Sequence, residues 1–174
     1  MSRINYDLTK IRAIAFDVDG VLSPSTIPMN EDGTPLRMVN IKDGYALQLA
    51  QKHGYKIAII TGADTPAVTG RFNGLGIKDV FLKPAMKLPL LQQRLKENNL
   101  KPEELAYVGD DIPDYECMKY AGLAVAPADA AVEIKEIAGY ISPVNGGYGV
   151  ARDLLEQIMR ANGDWMSTAK AFGW

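Results

Sequence analysis

Apolar positions along the chain follow two alternating patterns. Short, almost continuously apolar runs occur at 11–18 (IRAIAFDV), 56–61 (KIAIIT), 79–82 (DVFL), 105–110 (LAYVGD) and 122–127 (GLAVAP). Their length and β-branched content suit strands buried on both faces. Between them, amphipathic stretches near 43–53, 65–75, 87–99, 112–121, 130–138 and 148–161 have helical spacing. This alternation predicts an α/β fold, a doubly wound parallel sheet covered by helices on both sides. Residues 23–41, SPSTIPMNEDGTPLRMVNI, break the pattern. Asp32-Gly33 divides two extended segments there, and Pro24, Pro28 and Pro35 oppose helix. The prediction is a β-hairpin inserted above the sheet, without a large cap domain.

Composition narrows the function classes. A chain of 174 residues suits one domain, 1–174, with enough interior to fold without staples. The tail after Gly163 lacks a clear period and is expected to be mobile. A net charge of -2 with scattered basic residues leaves no stripe for nucleic acid. No run reaches the length of a membrane span, and the opening MSRINYDLTK lacks the apolar centre of a signal peptide. Cys117 is the only cysteine, so neither an internal disulfide nor a cysteine-based zinc site is available. These features predict a soluble, cytoplasmic protein with neither nucleic-acid nor membrane partners. An anionic substrate would then have to be met by a metal or by a few placed cations.

Three predicted strands end in polar groups that a parallel sheet would bring to one edge, where ligands of such sheets bind. The first strand ends in Asp17-Val18-Asp19-Gly20, the second in Thr61-Gly62, and the fourth in Gly109-Asp110-Asp111, with Asp114 shortly after. Carboxylates so crowded cannot all stay ionised without a cation. An all-oxygen set of this kind favours a hard ion, with Mg2+ the usual choice beside a phosphate. Lys87, just before Leu88-Pro89, is expected at a helix N-terminus near the same edge. Its ammonium, the Thr61 hydroxyl and the backbone N–H groups at Gly62 would cradle a phosphoryl group. Asp17 is then the candidate nucleophile, forming an aspartyl phosphate, and Asp19 the candidate acid and base.

DVDGVL, IITG, Lys87 and GDDIPD, in that order, resemble the four motifs of the haloacid dehalogenase superfamily of phosphohydrolases. The resemblance covers residues 11–127. It implies that Asp17 and Asp110 ligate Mg2+ through side chains and Asp19 through its backbone carbonyl, that Thr61 and Lys87 hold phosphate, and that the strand order is 5-4-1-2-3. Within the superfamily, the short hairpin, the phrase IKDGYALQLAQKHGYKIAIITG and the late GGYGVARDLLEQI resemble the group of 3-deoxy-D-manno-octulosonate 8-phosphate phosphatases. That group implies a small phosphorylated sugar acid as substrate, a role in lipopolysaccharide precursor synthesis and a homotetramer. Relatives of the group act on 2-keto-3-deoxy-nononate 9-phosphate. The chain departs from the group's pattern at Ala63 and Asp64, and at Tyr148, where basic residues are frequent.

A signalling receiver domain also combines acidic residues, a Thr and a Lys on a doubly wound sheet. There the acceptor Asp comes from a later strand, whereas Asp17 and Asp19 share the first, which favours turnover over stored phosphorylation. Asp114 reads equally as a helix cap and as an indirect partner of the metal. Arg71 reads as a surface or salt-bridge residue and, secondly, as a substrate contact, and His53 reads as an exposed helix end. Asn145-Gly146-Gly147 reads as a turn and, secondly, as a wall of the sugar site. Trp165, Phe172 and Trp174 belong to the tail, free or docked on a neighbouring subunit.

Overall fold

The computed structural model describes residues 4–173. Six parallel strands form its sheet: β1 (Ala13–Phe16), β2 (Lys56–Thr61), β3 (Asp79–Leu82), β4 (Leu105–Val108), β5 (Leu123–Ala126) and β6 (Tyr140–Ile141). Their order is β3-β2-β1-β4-β5-β6. This is the expected 5-4-1-2-3 read from the opposite edge, with β6 added beyond β5. Nothing in the sequence pattern predicts β6, because two residues between Gly139 and Ser142-Pro143 carry no periodic signal; pairing with Val125 and Ala126 creates it.

Both sheet faces are buried, each against its own layer of helices. Ile14, Phe16, Ile57, Ile59, Val108 and Val125 point to one face, toward α1 (Ile41–Lys52), α2 (Pro66–Gly74) and α6 (Val150–Ala161). Ala13, Ala15, Ala58, Ala124 and Ala126 point to the other, where α3 (Lys87–Glu97), α4 (Tyr115–Tyr120) and α5 (Val132–Ile137) supply Leu91, Leu95, Cys117, Met118 and Ile134. Each strand thus alternates with period two, although its linear sequence reads as uniformly apolar.

Helix ends hold the fold to the sheet's working edge. Asn40 starts α1 by accepting from the Lys42 and Asp43 N–H groups at 2.9 and 3.1 Å. The buried Asp43 in turn accepts from the Arg152 N–H at 2.7 Å, so a carboxylate of α1 satisfies the start of α6. Pro66 and Pro89 occupy the first turns of α2 and α3, where a missing N–H is tolerated.

The inserted segment departs from a regular hairpin. It closes through one antiparallel bridge, Met29 with Pro35, flanked by Asn30 N–H to Thr34 O (2.9 Å) and Leu36 N–H to Pro28 O (2.8 Å). Pro24, Pro28 and Pro35 lack N–H donors, which shortens the ladder. The tail, expected to be mobile, is instead folded back. Tyr45 donates to Ala171 O at 2.6 Å, Tyr55 donates to Asp164 at 2.6 Å, and the Arg152 guanidinium lies 4.5 Å from the Trp165 ring. Short aromatic anchors, without periodicity, hold it. Asp164 also covers His53, which is therefore mostly buried, its Nδ1 3.5 Å from Asp164 Oδ1. Trp174 lies outside the described residues. Among those residues, no helix is long and apolar enough to cross a membrane.

Candidate active site

The carboxyl ends of β1, β2 and β4 and the start of α3 meet at an open cleft of about 320 Å3. Its lining brings together Asp17, Asp19, Thr61, Gly62, Lys87 and Asp110, with Ser25, Asp111 and Pro113. Asp17 directly follows β1, and its N–H donates to Val108 O at 3.0 Å, tying the strand end to β4. The chain then turns back sharply, the Val21, Leu22 and Ser23 N–H groups all reaching Val18 O. Gly20 sits in the left-handed region (φ 83°), and a Cβ there would lie 1.8 Å from Asp110 Oδ2. Glycine at this position lets the turn bearing Asp19 approach the carboxylate of the neighbouring strand. At Gly109 a Cβ would lie 2.4 Å from that of Asp114, so the bare glycine leaves room for Asp114 beneath the site.

Asp114 is the hub of the cluster. It is fully buried and makes no cap hydrogen bond to α4, so of its two sequence readings the cap does not hold. Its Oδ1 accepts from Lys87 Nζ at 2.7 Å and from the Tyr107 hydroxyl at 2.8 Å, and its Oδ2 accepts from the Asp110 N–H at 3.2 Å. Lys87 Nζ also stands 3.1 Å from Asp17 Oδ1. One ammonium therefore serves two buried carboxylates, and Asp110 adds a third charge. Burial, then the Asp114 charge, pushes the Asp17 carboxyl up to about 6, against the pull of Lys87. Burial and the Asp17 and Asp114 charges push Asp110 up to about 7. Burial pulls Lys87 down, but Asp114 and Asp17 outweigh it and raise it overall.

The donor set fits a divalent cation. The crowding of Asp17, Asp110 and Asp114 around one ammonium would be relieved by a further positive charge. Asp17, Asp110 and Asp114 each offer an oxygen within 4.8 Å of one another. Of these, Asp110 Oδ1 is buried without a hydrogen-bond partner, and Asp17 Oδ1 has beside it only the Lys87 ammonium that Asp114 also engages. Such oxygens are costly unless a cation takes them. The oxygens of Asp114 are already engaged, which suits it to orienting Lys87 and the Asp110 backbone.

Thr61 is buried, and its Oγ1 accepts from the Ala63 N–H at 3.1 Å, bending the chain after β2. Asp19 is gripped by Arg37 through two bonds of 2.8 Å. Sequence patterning singles out neither Arg37 nor Tyr107: Tyr107 reads as another strand apolar residue, and Arg37 as hairpin. The signal for Arg37 is an inverted alternation, Leu36-Arg37-Met38, in which the apolar neighbours point out. Asn145-Gly146-Gly147 does not line the cleft; Gly147 N–H donates to Val21 O at 2.8 Å and buttresses the Asp19 turn from behind. Ala63, Asp64 and Tyr148 are also outside the lining, and Asp64 faces Lys83 at 3.5 Å.

Comparison with known proteins agrees with this geometry. Residues 73–154 match the haloacid dehalogenase-like hydrolase family. The chain is 37% identical over 153 residues, 88% of its length and 81% of the relative's, to the 3-deoxy-D-manno-octulosonate 8-phosphate phosphatase KdsC of Escherichia coli. The structure superposes on that phosphatase from Yersinia pestis with a TM-score of 0.87 at 34% identity, covering 91% of this chain and 85% of the other. It superposes on the Moraxella catarrhalis enzyme, solved with magnesium, phosphate and KDO, with a TM-score of 0.84 at 32% identity and 89% coverage of each chain. With likeness of this extent in sequence and in fold, the chain belongs to the haloacid dehalogenase-like hydrolase family, as one of its phosphatases.

Proposed function

We propose that the protein is a Mg2+-dependent phosphatase of 3-deoxy-D-manno-octulosonate 8-phosphate, acting in the cytoplasm in lipopolysaccharide precursor synthesis. The observation that carries this reading is the buried pair Asp17 and Asp110, with Asp110 Oδ1 lacking any hydrogen-bond partner and Asp17 Oδ1 sharing the single Lys87 ammonium with Asp114. In the reaction, an Asp17 oxygen attacks phosphorus while Asp19 gives its proton to the departing sugar oxygen. Asp19 then takes a proton from water as that water attacks the aspartyl phosphate, releasing phosphate and restoring Asp17. Thr61, Gly62 and Lys87 hold the phosphoryl oxygens. The Asp17 and Asp110 side chains and the Asp19 carbonyl would hold Mg2+. When bound, the ion supplies charge neutralisation for the phosphoryl oxygens and lets the carboxylates remain ionised.

A phosphate-release screen of sugar phosphates, with Mg2+ and with EDTA, tests the reading. The expected order of kcat/KM is the eight-carbon keto-acid phosphate, then 2-keto-3-deoxy-nononate 9-phosphate, with simple hexose phosphates far behind. A hexose phosphate that equals either keto-acid phosphate contradicts the substrate assignment while leaving the phosphatase intact.

Asp110→Asn is expected to raise the Mg2+ concentration for half-activation by at least about tenfold, because a charged ligand of a hard cation is lost. The fold should tolerate it, since the Asp110 charge is already opposed by burial and by its neighbours. An unchanged activation midpoint rules out the metal role.

The proposed assembly is a homotetramer. Met29, Leu36, Met38 and Val39 of the hairpin stand about half exposed or more, a poor arrangement for an isolated chain. Among the described residues, Lys87 is the one basic side chain in the cleft lining, and the proposed neighbouring hairpins would supply further walls. Met38→Glu is expected to give smaller species in sedimentation and weaker substrate binding. A fully active wild-type monomer at working concentration excludes this assembly.

A further inference from the structure

The inserted hairpin carries one buried charge for which the catalytic steps above have no use. Leu36 and Met38 point outward, 46% and 51% exposed, whereas the Arg37 side chain between them is only 13% exposed. Its Nε donates to Asp19 Oδ1 and its Nη2 to Asp19 Oδ2, each at 2.8 Å. A guanidinium fork on both oxygens fixes the plane of a carboxylate, which a single contact would not do. The Asp19 side chain remains 41% exposed and lines the cleft, so it is gripped from one side and open on the other. The backbone is fastened at the same place. Ser23 Oγ accepts from the Met38 N–H at 3.1 Å, and Gly20 N–H donates to Ser23 O at 2.9 Å. Ser23 therefore ties the hairpin segment to the turn bearing Asp19.

We propose that Arg37 is a positioning residue for proton transfer, acting through Asp19: its fork sets the carboxyl orientation that delivers a proton to the departing oxygen and later receives one from water. The inference rests on the acid–base reading of Asp19. Misplacing a reacting group by about 1 Å can cost on the order of 100-fold in rate.

The test compares Arg37→Met, Arg37→Lys, Asp19→Asn and the double variant Arg37→Met/Asp19→Asn, with Mg2+, on the keto-acid phosphate and on p-nitrophenyl phosphate. Arg37→Met is expected to lower kcat about 10- to 100-fold on the keto-acid phosphate, leaving KM and the Mg2+ midpoint within about twofold. The loss should be smaller on p-nitrophenyl phosphate, whose leaving group needs little protonation. Arg37→Lys, with the charge but not the fork, should fall between. In the Asp19→Asn background, Arg37→Met should remove nothing further. Equal losses in both backgrounds, or a loss that appears in KM and Mg2+ affinity with kcat unchanged, overturn the proposal. An inert Asp19→Asn beside a fully active Arg37→Met overturns it alone, whereas a fully active Asp19→Asn overturns the acid–base reading and this inference with it.

Discussion

Asp17→Asn is expected to lose at least about 10⁴-fold in phosphate release while remaining as stable as the wild type or more so. The activity loss follows from chemistry: a neutral amide oxygen is a poor nucleophile, and no other carboxylate among the described residues lies where Asp17 does, at the end of the central strand with a buried oxygen 3.1 Å from the Lys87 ammonium. The stability statement follows from linkage. Burial and the Asp114 charge raise the folded-state carboxyl to about 6, above its ordinary value of 3.8. The metal-free folded state therefore holds this proton more tightly than the unfolded chain does. That contribution is fully present below about pH 4 and is lost as pH rises through about 6. An amide cannot ionise, so the variant escapes this decline, and Lys87 keeps its 2.7 Å contact with Asp114. Thermal unfolding in EDTA at pH 5 and pH 8 checks the second half. The wild type should lose more than the variant between the two, and Mg2+ should restore wild-type stability at pH 8. A variant that is less stable at pH 8 contradicts this account of the cluster.

Lys87→Met is expected to have the largest effect on stability of any single change at the site. The substitution keeps the apolar stem and removes the charge, leaving the fully buried Asp114 and the mostly buried Asp17 facing each other without a cation. Breaking a buried pair from one side typically costs about 3–5 kcal/mol. In urea denaturation without metal at pH 8 the loss should approach that range and shrink at pH 5, where the carboxyls can take up protons. Turnover should fall by about 10²- to 10³-fold, since the phosphoryl group loses its fixed cation. A stable, active Lys87→Met protein would mean that the ammonium neither balances the carboxylates nor holds phosphate.

The strands are legible in the sequence because they are central to a doubly wound sheet, where burial on both faces demands continuous apolar runs of strand length. The candidate site is legible for a related reason. Asp17, Asp19, Thr61 and Asp110 follow such runs directly, and parallel strands deliver their ends to one edge. What sequence patterning misses depends on contacts distant in the chain. Arg37 meets Asp19 across 18 positions, and Lys87 meets Asp114 across 27. Tyr107 faces inward like any apolar residue of β4 until its hydroxyl finds Asp114. His53 reads as an exposed helix end because the segment that covers it, around Asp164, lies 111 positions later. The tail reads as structureless because a few aromatic and backbone anchors, rather than a repeating face, hold it to α1.

The central claim is that phosphate passes through a covalent intermediate on Asp17. Borohydride reduces an aspartyl phosphate to homoserine, which peptide mass spectrometry can locate. The direct measurement quenches the Asp19→Asn protein, which lacks the base for the second step, after mixing with p-nitrophenyl phosphate, whose leaving group needs little protonation in the first step, and Mg2+, then reduces and digests it. The account predicts homoserine at position 17, dependent on both substrate and Mg2+ and absent with EDTA. Homoserine at position 110 or 114 instead, or an unmodified position 17 in a protein that is still releasing phosphate, would contradict it.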